Sequence, residues 1–114
     1  MEKAVQDKSF RFSVRIVNLC KYLQTEKKEY ILSKQILRCG TSIGANIAEA
    51  QQAQSRADFI NKLNISLKEA YETDYWLRLI HETQYLDAEA FQSIFADCCE
   101  LEKLLISIIK TTKT

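Results

Sequence analysis

The sequence has no proline and only two glycines, Gly40 and Gly44. All-β folds draw heavily on those residues for their turns, so the scarcity argues for an all-α chain. Histidine occurs once, at His81. A single histidine cannot supply the paired Glu-x-x-His motifs of a di-iron bundle. No nucleophile or paired acid beside it marks it as a general base. No apolar run approaches the ~20 residues of a membrane span. The four cysteines, Cys20, Cys39, Cys98 and Cys99, lack zinc-site spacing, and the adjacent pair is poorly placed to share one metal in a helix. They read as small buried hydrophobes of a reduced protein. With no signal peptide recognised, the expected location is the cytoplasm. Catalytic residues, metals and cofactors are all expected to be absent.

Charge of one sign is not in excess either, since the net charge is +1. The balance hides an asymmetry. Residues 1–38 hold nine Lys or Arg and four Asp or Glu, whereas residues 39–114 hold seven and eleven. A basic first third can face a polyanion. Lys8, Arg11 and Arg15 share one outer face of a first helix, and Lys21 lies further along it. These four are the nucleic-acid candidates. The structural alternative is that this basic helix meets an acidic neighbour within a bundle or across a subunit contact.

Periodicity places four amphipathic helices in one domain, residues 1–114, over roughly 9–25, 29–53, 56–82 and 88–110. Met1 to Lys8 is expected to fray, with Ser9 capping the first helix. Ser55 followed by Asp58 signals the third helix. Asp87, flanked by Leu86 and Phe91 as a hydrophobic staple, signals the fourth. Short connections make an up-down-up-down bundle the expected architecture.

The stretch Leu37 to Ala50 stands apart. Each of its glycines costs roughly 1 kcal/mol relative to Ala in a helix interior. Gly40, Gly44 and Ala48 line one side, which suits the close approach of another backbone. Gln35, Arg38, Ser42, Asn46 and Glu49 form a polar side; Ile36, Ile43 and Ile47 form an apolar one. The helix therefore reads as wrapped on most sides. In an antiparallel hairpin with the third helix, Arg38 lies opposite Glu69, Tyr71 and Glu72 and is expected to pair with Glu69 or Glu72, Ser42 lies near Ser66, and Asn46 lies near Lys62 or Leu63. A ligand site built on Arg38, Asn46 and Glu49 is the functional alternative. The aromatic group Tyr71, Tyr75, Trp76 and Tyr85 suits base stacking, although aromatics at helical spacing more often serve cores or oligomer contacts.

The segment Gly40-Thr41-Ser42-Ile43-Gly44-Ala45-Asn46-Ile47-Ala48-Glu49-Ala50, preceded by Gln35 and Arg38, resembles the signature of the prokaryotic four helix bundle protein family. That family includes proteins encoded in intervening sequences of large-subunit ribosomal RNA genes. The chain is also similar to the accessory variability determinant protein of diversity-generating retroelements. Ser66-Leu67-Lys68-Glu69 stands where the family has Ser-Leu-x-Glu, and Tyr85-Leu86 precedes the last helix. Many members have Pro at the position of Gly44 and Gly at that of Ala50. The resemblance implies a left-handed up-down bundle, commonly assembled into a homopentameric ring, and no catalytic activity. Arg38, Gly40, Ser42, Gly44, Asn46, Glu49 and Glu69 are the expected structural or subunit-contact positions.

Two functional expectations follow. The first is a non-catalytic, self-assembling accessory protein that binds RNA, or partners a nucleic-acid-processing protein, through its first helix. The second is a protein-only oligomeric scaffold. Small-molecule binding in the channel of a ring is a third class.

Overall fold

Residues 3–114 are described in the computed structural model, and they contain four α-helices and no strand. The helices are α1 (Lys3–Thr25), α2 (Leu32–Ala50), α3 (Arg56–Glu82) and α4 (Ala88–Lys113).

Each start has a local cause. Ser55 Oγ accepts from the Asp58 amide at 3.0 Å, and Asp58 in turn accepts from the Gln54 amide at 3.2 Å. Asp87 caps α4 by accepting from the Ala90 amide at 2.8 Å. Both caps satisfy donors that a helix N-terminus otherwise leaves bare.

The first two helices depart from their expected bounds. α1 starts at Lys3 rather than near Ser9, because Val5 is buried and extends the apolar face one turn further back. Ser9 is thus no cap. It sits buried inside the helix and donates to the Gln6 carbonyl at 3.0 Å. α2 starts at Leu32, three residues after the expected Glu29. Glu29 instead folds its carboxylate over the helix start and accepts from the amides of Ile31, Leu32 and Ser33 at 3.1, 3.0 and 2.8 Å. Burial pushes that carboxyl up, but the three amide donors outweigh it and hold it below the usual range. α2 stops at Ala50, because the amides of Gln51, Gln52 and Ala53 turn to carbonyls only three residues back. α4 runs to Lys113, past the expected 110.

Helix α1 packs against α2 and α4, and α3 packs against the same two; α1 does not meet α3, nor α2 meet α4. Residue numbers rise along one helix as they fall along its neighbour. Gly44 lies by Ser9 and Gly40 by Ile16; Ser66 bonds Ile43, and Cys98 bonds Ala70. The shape is a rod of 44 × 20 × 19 Å. Its axis is filled by Phe12, Ile16, Leu23, Ile36, Ile43, Leu63, Leu77, Ile80, Leu101 and Leu105, all fully buried. Burying each such side chain is worth roughly 1.5–3 kcal/mol. Among the described residues no buried side-chain N or O lacks a partner. No helix among them is long and apolar enough to cross a membrane.

Candidate functional site

The basic face of α1 is largely answered from within the chain. Lys8 Nζ lies 2.7 Å from Glu100, and Arg15 lies 2.7 Å from Asp97. Arg15 also donates to the Ser93 carbonyl at 3.2 Å and to its hydroxyl at 2.9 Å. Arg11 stands beside Asp97 and Glu100 in the same shallow recess without an ion pair. Lys21 is exposed, and no ion pair involves it among the described residues. The structure therefore divides the four candidates: α4 neutralises Lys8 and Arg15, and Arg11 and Lys21 are left open.

The signature helix is set by its contact with α1. A Cβ on Gly40 would lie 2.8 Å from two carbons of the Ile16 side chain. One on Gly44 would lie 3.0 Å from Ser13 Oγ and 3.2 Å from the Ser9 carbonyl oxygen. Both glycines thus serve the approach of one neighbouring helix.

The polar side of α2 is not wrapped, contrary to the sequence reading. Gln35, Arg38 and Glu49 are exposed, and Ser42 and Asn46 are half-exposed. Arg38 reaches over to Glu69 at 3.2 Å and to Glu72, with its side chain 53% exposed. The hydrogen bond from Arg38 to Glu72, followed by the Glu72 charge, pushes the guanidinium pKa up. The Trp76 indole N–H, and then Arg38, hold the Glu72 carboxyl low. Glu49 pairs with Lys62 at 3.0 Å. Ser42 and Asn46 bond backward into their own helix, to the Arg38 and Ser42 carbonyls. Ser66, expected beside Ser42, is buried and donates to the Ile43 carbonyl at 2.8 Å. The bonds of Arg38, Glu49 and Ser66 fasten α2 to α3.

The remaining side of α2 is apolar and open. Thr41, Gly44, Ala45 and Ala48 run along it, with Leu37 at one end. Beside them α1 exposes Phe10 at 70% and Val14 at 46%. Gln6, Ser9, Phe10, Ser13, Gly44, Ala45, Ile47 and Ala48 enclose a groove of about 440 Å³.

A model of the 23S rRNA-intervening sequence protein family matches residues 1–107. The chain belongs to that family. A crystal structure of a protein with unknown function from the S23 ribosomal protein family of Bacteroides thetaiotaomicron is similar. It shares 67% identity over 93% of this chain and 98% of that one, with a TM-score of 0.92. No curated protein matches the chain.

Other groups of this intervening-sequence family member are placed by packing. His81 stacks on Phe91 at 4.3 Å, and its Nδ1 lies 3.1 Å from the Leu86 carbonyl oxygen, so it ties α3 to the start of α4. Tyr71 and Tyr75 are exposed on the outer side of α3, whereas Trp76 and Tyr85 pack on the core. All four cysteines are free; Cys20, Cys39 and Cys98 are buried. Burial pushes the Cys20 thiol up to about 11, and the Cys98 thiol up as well. Thiols so held are poor nucleophiles.

Sequence reading missed one cluster altogether. Asp74 of α3 meets Cys99 and Glu102 of α4. Burial, then the bond to Asp74 and its charge, raise the Glu102 carboxyl to about 7. Linear spacing carries no signal for this group, because only the α3–α4 contact brings Asp74 to the others.

Proposed function

We propose that this protein is a non-catalytic, self-assembling bundle that works through its surfaces. In this reading the helices form a left-handed up-down-up-down bundle, and copies assemble through the α1–α2 face into a homo-oligomeric ring, a homopentamer in the first instance. The observation that carries it is the open apolar strip of Phe10, Val14, Leu37, Ala45 and Ala48 around the Gly44 groove. Tyr71 and Tyr75, one turn apart on α3, form a second exposed patch. Two unlike patches suit a head-to-tail contact, the kind that closes rings. The cytoplasm is the proposed location, which suits four unpaired cysteines.

Analytical ultracentrifugation of the wild type and of Phe10→Glu tests the assembly. A multimer that falls to monomer in the variant, with unchanged helical circular dichroism, is expected. A monomeric wild type overturns the reading.

RNA association is the second reading. It draws on the family's tie to ribosomal RNA genes and on the two open cations, Arg11 and Lys21. Titration of structured RNA at low and moderate salt tests it, with Arg11→Glu/Lys21→Glu alongside. Salt-sensitive binding lost in the double variant supports it, because phosphate contacts release counterions. No binding at low salt leaves the protein-only scaffold.

A further inference from the structure

We propose that Asp74, Cys99 and Glu102 form a binding site for one thiophilic divalent cation, in the groove between α3 and α4. One ligand atom from each residue lies within 4.8 Å of the other two. A tetrahedral zinc, with bonds of about 2.0–2.3 Å to oxygen and sulfur, sets such atoms roughly 3.5 Å apart. Small side-chain rotations supply that contraction.

The local sequence explains why the three meet. Cys99 and Glu102 are three apart on α4, so they share a face. Cys98, one position round the helix, points inward and donates to the Ala70 carbonyl at 3.5 Å. The adjacent cysteines therefore divide their roles: Cys98 belongs to the core, and Cys99 to the groove. The buried Cys98 thiol also lies 3.8 Å from Glu102 Oε2, which backs that carboxylate from the core side.

The donor set mixes one soft sulfur with two hard oxygens. That mixture suits zinc or cobalt better than calcium or magnesium, which take oxygen alone. All three residues are half-buried, so the site is sheltered yet reachable from solvent. Arg78 donates to Asp74 Oδ1 at 2.8 Å from a side chain 57% exposed, so it competes with the ion for that carboxylate and can swing away into solvent. Coordination releases to solvent the Cys99 thiol proton and any proton held on the Glu102 carboxyl. Three protein ligands leave a fourth position for water or an incoming group, as in sites that exchange ligands rather than in sealed structural ones.

The test uses the full chain, reduced and stripped with chelator. Zinc is titrated against a chromophoric competitor, and cobalt is followed by absorption. The expected result is one zinc per chain and a thiolate-to-cobalt charge-transfer band. Cys99→Ser abolishes the band, and Glu102→Gln weakens zinc binding by more than about tenfold, with helical circular dichroism unchanged. If Glu102→Gln loses its helical signal, Asp74→Asn replaces it with the same expectation. No zinc bound by the wild type overturns the proposal. So does a cobalt complex without the thiolate band, or zinc binding that survives both substitutions.

Discussion

Adding one methyl group at Gly40 separates helix propensity from helix packing. Gly40→Ala removes a residue that weakens α2, a gain of roughly 1 kcal/mol if nothing else changed. The new Cβ, however, would lie 2.8 Å from Ile16 Cγ1 and Cγ2 and 2.9 Å from its Cδ1. Ile16 is fully buried and cannot swing into solvent. Either it leaves its rotamer or α1 shifts away from α2, an overpacking cost of roughly 1–3 kcal/mol. The net expectation is a loss of about 1–2 kcal/mol, towards the upper end of that cost because three side-chain atoms are met at once. Gly44 supplies the contrast. Its Cβ would meet Ser13 Oγ at 3.0 Å, in a groove where that hydroxyl can turn, and the Ser9 carbonyl oxygen at 3.2 Å. The propensity gain there offsets a few tenths of an ångström of backbone movement, so Gly44→Ala is expected to fall within about 0.5 kcal/mol of the wild type. Urea unfolding at one fixed protein concentration measures both, with the m-value checking that the unfolding reaction is the same. Ile16→Ala, which removes all three of those carbons, completes a double-mutant cycle in each background. Alone it costs about 2–5 kcal/mol; in the Gly40→Ala background it costs less, since it relieves the clash. Gly40→Ala as stable as the wild type, or additive with Ile16→Ala, would refute the close-packing argument.

Three further outcomes follow from the same contacts. Glu29→Ala strips the start of α2 of its acceptor and is expected to lower stability by about 1–2 kcal/mol at pH 7. Because the folded carboxyl sits below its unfolded value of 4.5, the wild-type advantage is present above that pH and fades as pH falls through the folded value, which urea midpoints along a pH series would reveal. Glu102 has the opposite sign. Its carboxyl rises from 4.5 unfolded to about 7 folded, so its stabilising share is full below 4.5 and is lost as pH rises towards 7. Glu102→Gln should therefore flatten the decline in urea midpoint between pH 5 and pH 8, measured in chelator, and an unchanged decline would count against the carboxyl pair. Arg38→Ala should cost less than about 1 kcal/mol, since its two ion pairs are surface pairs, and a much larger loss in thermal unfolding would mean that the signature arginine does more than join α2 to α3.

Elements with both a cap and a long apolar period were legible in the chain. α3 begins and ends where the pattern placed it, between the Ser55 cap and Glu82, and α4 begins one residue after Asp87. The start of α1 was not legible, because Val5 alone among polar neighbours carries the signal and only its burial between helices reveals it. The start of α2 was missed for a different reason. Glu29 looks like an ordinary first-turn acid, and its role depends on the positive φ of 55° at Lys28, which turns the carboxylate back over three amides.

The same division holds for the functional surfaces. Composition and spacing determined that the chain is helical, that Gly40 and Gly44 serve a close approach, and that Arg38 stands opposite Glu69 and Glu72. Those are consequences of periodicity, which is local. Tertiary structure alone decided which cations are free, because the acids that quench Lys8 and Arg15 come from α4, far along the chain. It likewise decided that the polar side of α2 lies open to solvent and that Asp74 meets Cys99 and Glu102. Whether a side chain is answered or left open depends on the neighbour that packing brings to it, and a linear pattern does not carry that information.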